Sequence, residues 1–263
     1  MPGNWLDAKS IVIIGGSTGI GLSAARAFVA HGAKVVAVGR TAESLEETSS
    51  VLAAQGRVLQ GDASLPDTAK EAINICRKEF GSFDGLYHVA GGSGRKFGDG
   101  PLHDMTVEAW NKTLSLNLTS LMLSNQAAIN AFMAQRTGGT ILNMGSVLGF
   151  SPSPGHFVTH AYAAAKSAVI GFTKSIASYY AAMNIRINLL APGLVETPMA
   201  TRAASDPLIL DFIKSKQPLE GGRIGIPTDL DGAAIYFMSD FSRYTTGQLL
   251  AVDGGWSVSE GKN

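Results

Sequence analysis

Residues 11–29, IVIIGGSTGIGLSAARAFV, constrain the fold more than any other stretch of the chain. Ile11-Val12-Ile13-Ile14 is an uninterrupted β-branched run, the pattern of a strand covered on both faces of a sheet. It passes into Gly15-Gly16-Ser17-Thr18-Gly19-Ile20-Gly21, then into an Ala-rich segment with Leu22, Ala25, Phe28 and Val29 at helical spacing. Strand, glycine turn and helix in that order make a phosphate-binding βα unit. The glycines let backbone approach a pyrophosphate, and the helix start presents unpaired N–H groups at the positive end of its dipole. The spacing is G-x3-G-x-G rather than G-x-G-x-x-G. A plain tight turn closing a βα unit would read the same, and the rest of the chain decides between the two.

Further strands are predicted at 34–38, 57–60, 85–89, 140–144, 185–190 and 249–252, alternating with helical patterns. That alternation implies an α/β fold: a doubly wound parallel sheet with helices on both faces, in a single domain spanning 1–263. Thr41 is expected to cap the second helix, and Ser64, with Pro66 in the first turn, the third. Thr106 should open a long helix carrying Trp110, Asn117 and Leu121, and Thr228 a helix through 229–238. Residues 91–101 are glycine-rich loop, and 199–222 break the alternation apart from one short helix near 208–216.

Hydrophobic residues at 45% and charged ones at 16% fit a compact globule. Lys+Arg and Asp+Glu number 21 each, so net charge favours neither nucleic acid nor an anionic membrane. The single cysteine, Cys76, cannot form an internal disulfide and reads as a small core residue in a reducing compartment. The opening MPGNWLDAKS lacks a signal pattern and no apolar run is long enough to cross a bilayer, so a cytoplasmic protein is expected. His31, His88, His103, His156 and His160 lack metal-ligand spacing, and no metal is expected; His156 or His160 could line a pocket.

The chemistry concentrates in Tyr162-Ala163-Ala164-Ala165-Lys166. Residues at i and i+4 share a helix face with Cβ atoms about 5–6 Å apart. A phenol has an ordinary pKa of about 10, and a nearby ammonium stabilises its anion. A solvated surface pair would have the same spacing. Ser146 follows directly on a predicted buried strand, and ligands of open α/β sheets bind beyond the carboxyl ends of strands. Asn117 is an amide in an otherwise apolar helix, which gives it either a functional task or a bond to its own backbone.

In order along the chain, GGSTGIG (15–21), GD (61–62), AG (90–91), Asn117 in LSLNLTS, GSVLG (145–149), YAAAK (162–166), RINLLAPG (186–193) with TPM (197–199), GRIGIP and TTGQLLAVDGG resemble the short-chain dehydrogenase/reductase family from end to end. The resemblance implies a Rossmann fold, a nicotinamide cofactor and a homotetramer. It makes Tyr162 the general acid/base. Lys166 lowers the Tyr162 pKa and holds the nicotinamide ribose, Ser146 orients the carbonyl, and Asn117 anchors a relay water. Cofactor contacts carry over to Gly15, Ser17, Thr18, Gly19, Ile20, Gly21, Arg40, Thr41, Asp62, Ala63, Ala90, Gly91, Tyr162, Lys166, Pro192, Gly193, Val195 and Thr197. Substrate-pocket loops are expected near 91–101, 147–160 and 194–222. Two departures stand out. Ile14 replaces the family's Thr, and His88-Val89-Ala90-Gly91 replaces Asn-Asn-Ala-Gly, so altered packing rather than inactivity is expected.

In this fold the residue ending the second strand faces the adenosine ribose, where an acid favours NAD and repels a 2′-phosphate. Here Gly39 neither accepts nor repels, and Arg40 can grip a phosphate with Thr41 beside it. NADP(H) is therefore expected to be preferred, with NAD(H) usable. The expected activity is interconversion of a ketone and a secondary alcohol, a small-molecule carbonyl/alcohol pair, by hydride transfer. A 3-oxoacyl thioester reductase is the alternative. Phe150, Phe157, Leu194 and Met199 in the pocket segments favour an apolar substrate. Enoyl-thioester reduction is disfavoured, because that branch spaces its Tyr and Lys more widely. A non-catalytic NAD(P)-binding sensor or scaffold is the reading of another class; the intact set Asn117, Ser146, Tyr162 and Lys166 speaks against it.

Overall fold

In β1 (Ser10–Ile14) every side chain is buried, and successive ones enter opposite layers. The computed structural model describes residues 3–261. Ile11 and Ile13 join one apolar cluster with Val35, Ala37, Tyr87, Leu142 and Leu190, while Val12 and Ile14 join another with Val36, Val38, Leu86 and Ile141. The remaining strands are β2 (Lys34–Gly39), β3 (Gly56–Gln60), β4 (Gly85–His88), β5 (Gly139–Met144), β6 (Ile185–Pro192) and β7 (Leu249–Val252). They form one seven-stranded sheet in the order β3-β2-β1-β4-β5-β6-β7, and every neighbouring pair is parallel. Ile11 lies opposite Val35 on one side and Gly85 on the other, so the chain reverses its winding between β1 and β4. A crevice opens at such a switch point, beyond the carboxyl ends of the strands.

Helices cover both layers. On one face α1 (Gly19–Ala30) contributes Ala24, Ala25 and Phe28. After α2 (Ala42–Leu52), α3 (Thr68–Phe80) contributes Ala72, Ile73 and Cys76 to the other face. Burial pushes the Cys76 thiol up to about 12, so it stays an inert core residue. The predicted long helix is α4 (Val107–Leu114) and α5 (Ser120–Gln135), joined without a break by a π-helical turn, Ser115–Thr119. Next come α6 (His160–Tyr180), α7 (Thr201–Ser205), α8 (Pro207–Lys216) and α9 (Asp231–Met238), the last covering the same face as α1.

Two predicted caps lie instead in carboxylate-closed turns that precede their helices, neither of which has a side-chain cap. The Ser64 amide and hydroxyl both bond Asp62 Oδ1, at 2.8 and 2.7 Å, so Ser64 closes a turn and α3 begins only at Thr68. Thr228 lies inside the short turn Pro227–Leu230. Asp229 holds that entrance, accepting from the Ile226 amide at 2.8 Å and pairing with Arg223. In each turn one carboxylate oxygen, Asp62 Oδ1 or Asp229 Oδ2, accepts from a backbone amide and a second donor at once.

Candidate active site

A cavity of about 740 Å³ lies at the carboxyl ends of the strands, bounded by Ile14, Val38, Ala90, Met144 and Pro192. At its floor, Thr18 opens α1 with no side-chain cap and no acid in the first turn. The unpaired amides of that turn, at Thr18, Gly19 and Ile20 on the cavity wall, make a ready anion seat. Gly15 has φ +87°, and a Cβ there would sit 2.7 Å from the Ala90 nitrogen. The Ile14 carbonyl accepts from the Val89 and Ala90 amides at 2.9 and 2.8 Å. Backbone bonds therefore brace the turn where Ile14 and Val89 depart from the family pattern. Gly21 does not line the cavity; a Cβ on it would meet the Gly15 carbonyl oxygen, so it lets α1 pass beneath the turn.

At one end stand Gly39, Arg40, Asp62 and Ala63. A Cβ at Gly39 would fall 2.2 Å from Ser17 Oγ, so this strand end has no room for an acidic side chain. The Arg40 side chain is exposed and makes no hydrogen bond among the described residues. Its charge, after the Ser64 bonds and against partial burial, helps hold Asp62 below the usual carboxylate range. Thr41 does not line the cavity. It caps α2 by accepting from the Ser44 amide at 3.4 Å, and its hydroxyl bonds Ser44 Oγ, which bonds Ser17 Oγ.

Deeper in the cavity are Ser146, Tyr162, Lys166 and Asn117. Ser146 follows the end of β5 after one intervening residue, Gly145, and its Oγ accepts from the Leu148 amide at 3.2 Å, which fixes its rotamer. Tyr162 and Lys166 share the inner face of α6, with Nζ 5.6 Å from the ring centroid. Burial raises the Tyr162 pKa, and a hydrogen bond from Ser146 opposes that rise. Burial pushes Lys166 down to about 8, and its ammonium donates to the Met144 carbonyl at 2.9 Å. What opposes the desolvation of the phenol here is the Ser146 hydrogen bond, not the expected charge of its i+4 neighbour.

Asn117 sits in the π turn, where the Ser120 amide reaches back five residues to the Ser115 carbonyl. The wider turn frees the Thr113 carbonyl, which Asn117 Nδ2 takes at 2.9 Å. Nδ2 also donates to the Gly92 carbonyl at 2.9 Å, and Oδ1 accepts from the Gly92 amide at 3.1 Å. The side chain therefore clamps the loop after β4, and neither amide hydrogen is left for a water.

Of the predicted site residues the cavity gathers all but Gly21 and Thr41. His156 packs on Phe212 with centroids 4.9 Å apart, His160 is exposed, and Phe150 stays outside. Phe157 lines the wall together with Leu148 and Trp256, whose indole donates to the Ser151 carbonyl at 3.1 Å. Sequence reasoning missed Arg95, Lys96 and Arg202, which also reach the cavity. It missed Asp99 too, buried beneath α6, whose two oxygens accept from the Ala161 and Tyr162 amides at 2.9 Å each. Asp99 thereby caps the helix that carries the tyrosine.

The family model described as Enoyl-(Acyl carrier protein) reductase matches residues 15–257. The chain is 34% identical over 262 residues to 2-(S)-hydroxypropyl-CoM dehydrogenase 3 of Xanthobacter autotrophicus, covering 97% of this chain and 99% of that one. It is 35% identical to the 3-oxoacyl-(acyl-carrier-protein) reductase of Chlamydia trachomatis, over 94% of this chain and 96% of that one. A short-chain type dehydrogenase/reductase from Mycobacterium ulcerans superposes with a TM-score of 0.87 at 27% identity, covering 98% of this chain and 92% of the other. The chain belongs to the short-chain dehydrogenase/reductase family and is an NAD(P)-dependent oxidoreductase acting on CH–OH groups.

Proposed function

We propose that this protein is an NADP(H)-preferring reductase/dehydrogenase that interconverts a ketone and a secondary alcohol, with Tyr162 as general acid/base. The observation that carries this reading is the convergence of Ser146, Tyr162 and Lys166 on one wall of a cavity that begins at the glycine turn. The residues present fit the cofactor. The uncapped start of α1 suits a pyrophosphate, and Gly39 with the free Arg40 suits a 2′-phosphate. The nicotinamide, when bound, supplies or accepts the hydride. In reduction, Ser146 Oγ holds the carbonyl oxygen and Tyr162 Oη gives it a proton as negative charge develops there. Lys166, anchored on the Met144 carbonyl, places its positive charge beside that phenol and would hold the ribose of a bound nicotinamide cofactor. The Asn117 clamp keeps the Gly91–Gly92 loop in register with this wall. The overall change is ketone, NADPH and a proton to alcohol and NADP⁺.

The 3-oxoacyl thioester alternative is favoured by the chlamydial relative, whose name specifies a 3-oxoacyl-(acyl-carrier-protein) substrate. Another relative, 33% identical, is named for cis-4-hydroxycyclohexanecarboxylate, a ring secondary alcohol. The proposal includes a homotetramer in the cytoplasm. Purified protein screened with NADPH and NADH against ketones and 3-oxoacyl thioesters, following loss of the reduced cofactor's absorbance, tests it. Turnover with NADPH favoured supports it. Cofactor binding without turnover of any carbonyl would leave a non-catalytic binding protein.

A further inference from the structure

Three arginines remote from the cavity are paired with acids: Arg26 with Glu47, Arg57 with Glu79, and Arg223 with both Glu220 and Asp229. Arg95 and Arg202, which reach the cavity, are not. Arg95 comes from the turn Gly94–Phe97 and Arg202 from α7, so two separate segments deliver guanidiniums to the space that holds Ser146 and Tyr162. Among the described residues, neither forms an ion pair. The one side-chain bond of Arg95 goes to a neutral acceptor, the His156 carbonyl, at 3.3 Å. Asp99 is near enough to favour the Arg95 charge, but both its oxygens are committed to the start of α6. Burial first, and the charge of Arg202 second, lower the Arg95 pKa. The adjacent Lys96 also lines the cavity, with its ammonium 4.9 Å from the Phe97 ring centroid.

Both residues are exposed, yet Arg202 is close enough for its charge to disfavour that of Arg95, and an anion placed between them reverses the sign of that energy. Their position decides which anion. Arg95 bonds the backbone of the loop that supplies Phe157, and Arg202 follows the segment 197–199, whereas Arg40 and Asp62 mark the adenosine end. We propose that Arg95 and Arg202 form an oxyanion-binding subsite for the substrate, so that this enzyme acts on oxo-acid/hydroxy-acid pairs with an anionic group remote from the carbonyl. The inference rests on the carbonyl-reductase reading and narrows its substrate class. It departs from the expectation of an apolar substrate: apolar Phe157, Leu148 and Trp256 would hold the carbon skeleton, and the guanidinium forks would bind its carboxylate.

The test compares 4-oxopentanoate and 3-oxocyclohexanecarboxylate with their methyl esters, with NADPH, in wild type, Arg95→Met and Arg202→Met. NADPH affinity is measured separately by fluorescence. The wild type should prefer the acids, and each variant should reduce the acid-to-ester ratio of kcat/KM by about 10- to 100-fold, the worth of a hydrogen-bonded charge. Arg202→Lys, which keeps the charge without the fork, should restore part of the ratio. Equal use of acid and ester by the wild type would overturn the subsite and leave the reductase reading intact. A variant that loses NADPH affinity with an unchanged ratio would assign the arginines to the cofactor's phosphates and overturn it as well. If no carbonyl is turned over, quenching of protein tryptophan fluorescence by the oxo acids decides. Saturable binding lost in Arg202→Met upholds the subsite against the reductase reading, and absent binding overturns the subsite.

Discussion

Lys166 holds a charge where water does not reach it, and that sets a measurable conflict between stability and activity. Its folded-state pKa, about 8, lies below the ordinary 10.5. Between those values the unfolded chain binds more protons, so wild-type stability should rise with pH through that window, with the full desolvation penalty present below it. Lys166→Met removes the penalty and also the bond to the Met144 carbonyl. The penalty for the fall from 10.5 to about 8, at about 1.4 kcal/mol per pKa unit and less about 1 kcal/mol for the bond, should leave the variant about 2–3 kcal/mol more stable at neutral pH and without the alkaline rise. Urea unfolding across pH checks this, and the same variant should bind NADPH weakly and turn over slowly. A variant less stable at pH 7 would mean the ammonium is better solvated than its burial indicates. Tyr162→Phe should keep cofactor affinity and lose about 10²–10⁴-fold in kcat, the usual worth of a general acid; a loss of only a few-fold would remove Tyr162 from that role. At the adenosine end, Arg40→Ala should weaken NADPH by about 10- to 100-fold with little change for NADH. Equal losses would mean that Arg40 does not read the 2′-phosphate.

The π turn is the element on which the substrate side of the site hangs. Asn117→Asp keeps the acceptor for the Gly92 amide but gives up both donors, leaving the Gly92 and Thr113 carbonyls short of partners beside a buried charge. Each orphaned group costs about 1–3 kcal/mol, so the variant should lose at least about 2 kcal/mol in urea unfolding and raise KM for carbonyl substrate; wild-type stability would show the clamp to be idle. Strands and most helices were legible, because burial in two layers writes itself as β-branched runs and 3.6-residue periods, as in Ile11-Val12-Ile13-Ile14 and α3. Tyr162, Lys166 and Ser146 were legible because strand ends and i, i+4 spacing are local. What stayed hidden depends on distant partners. Asp99 caps α6 through an amide 62 positions later, Ser17 makes Gly39 obligatory, and nothing local marks an inserted residue in a helix such as the π turn around Asn117. Ser64 and Thr228 misled because each belongs to a turn that a nearby carboxylate closes, Asp62 on the Ser64 amide and Asp229 on the Ile226 amide, and the helices begin only after those turns.

At the scale of the whole molecule a balanced charge conceals an uneven field. Lys+Arg and Asp+Glu are 21 each, yet Arg40, Arg95, Lys96, Arg202 and Lys166 all reach one cavity. Anionic cofactor and substrate should therefore be drawn in, and kcat/KM for an oxo acid should fall as salt screens that field. The sheet edge raises the question of assembly. β6 is buried almost throughout, whereas β7 ends the sheet, with no strand among the described residues paired to its outer side and Leu250 41% exposed. Val258, beyond it, is 88% exposed. A bare apolar edge strand invites pairing or aggregation unless something covers it. The proposed homotetramer needs such a cover, and Leu249–Trp256 has the apolar character for that role. Trp256 itself is buried within its own chain, against Phe157 and Phe212, so the contact would be made by Leu250 and its neighbours. Sedimentation velocity at micromolar concentration should show a species of four chains, and Leu250→Glu should shift it toward smaller ones. A wild type that sediments as a monomer would mean that this edge is protected in some other way.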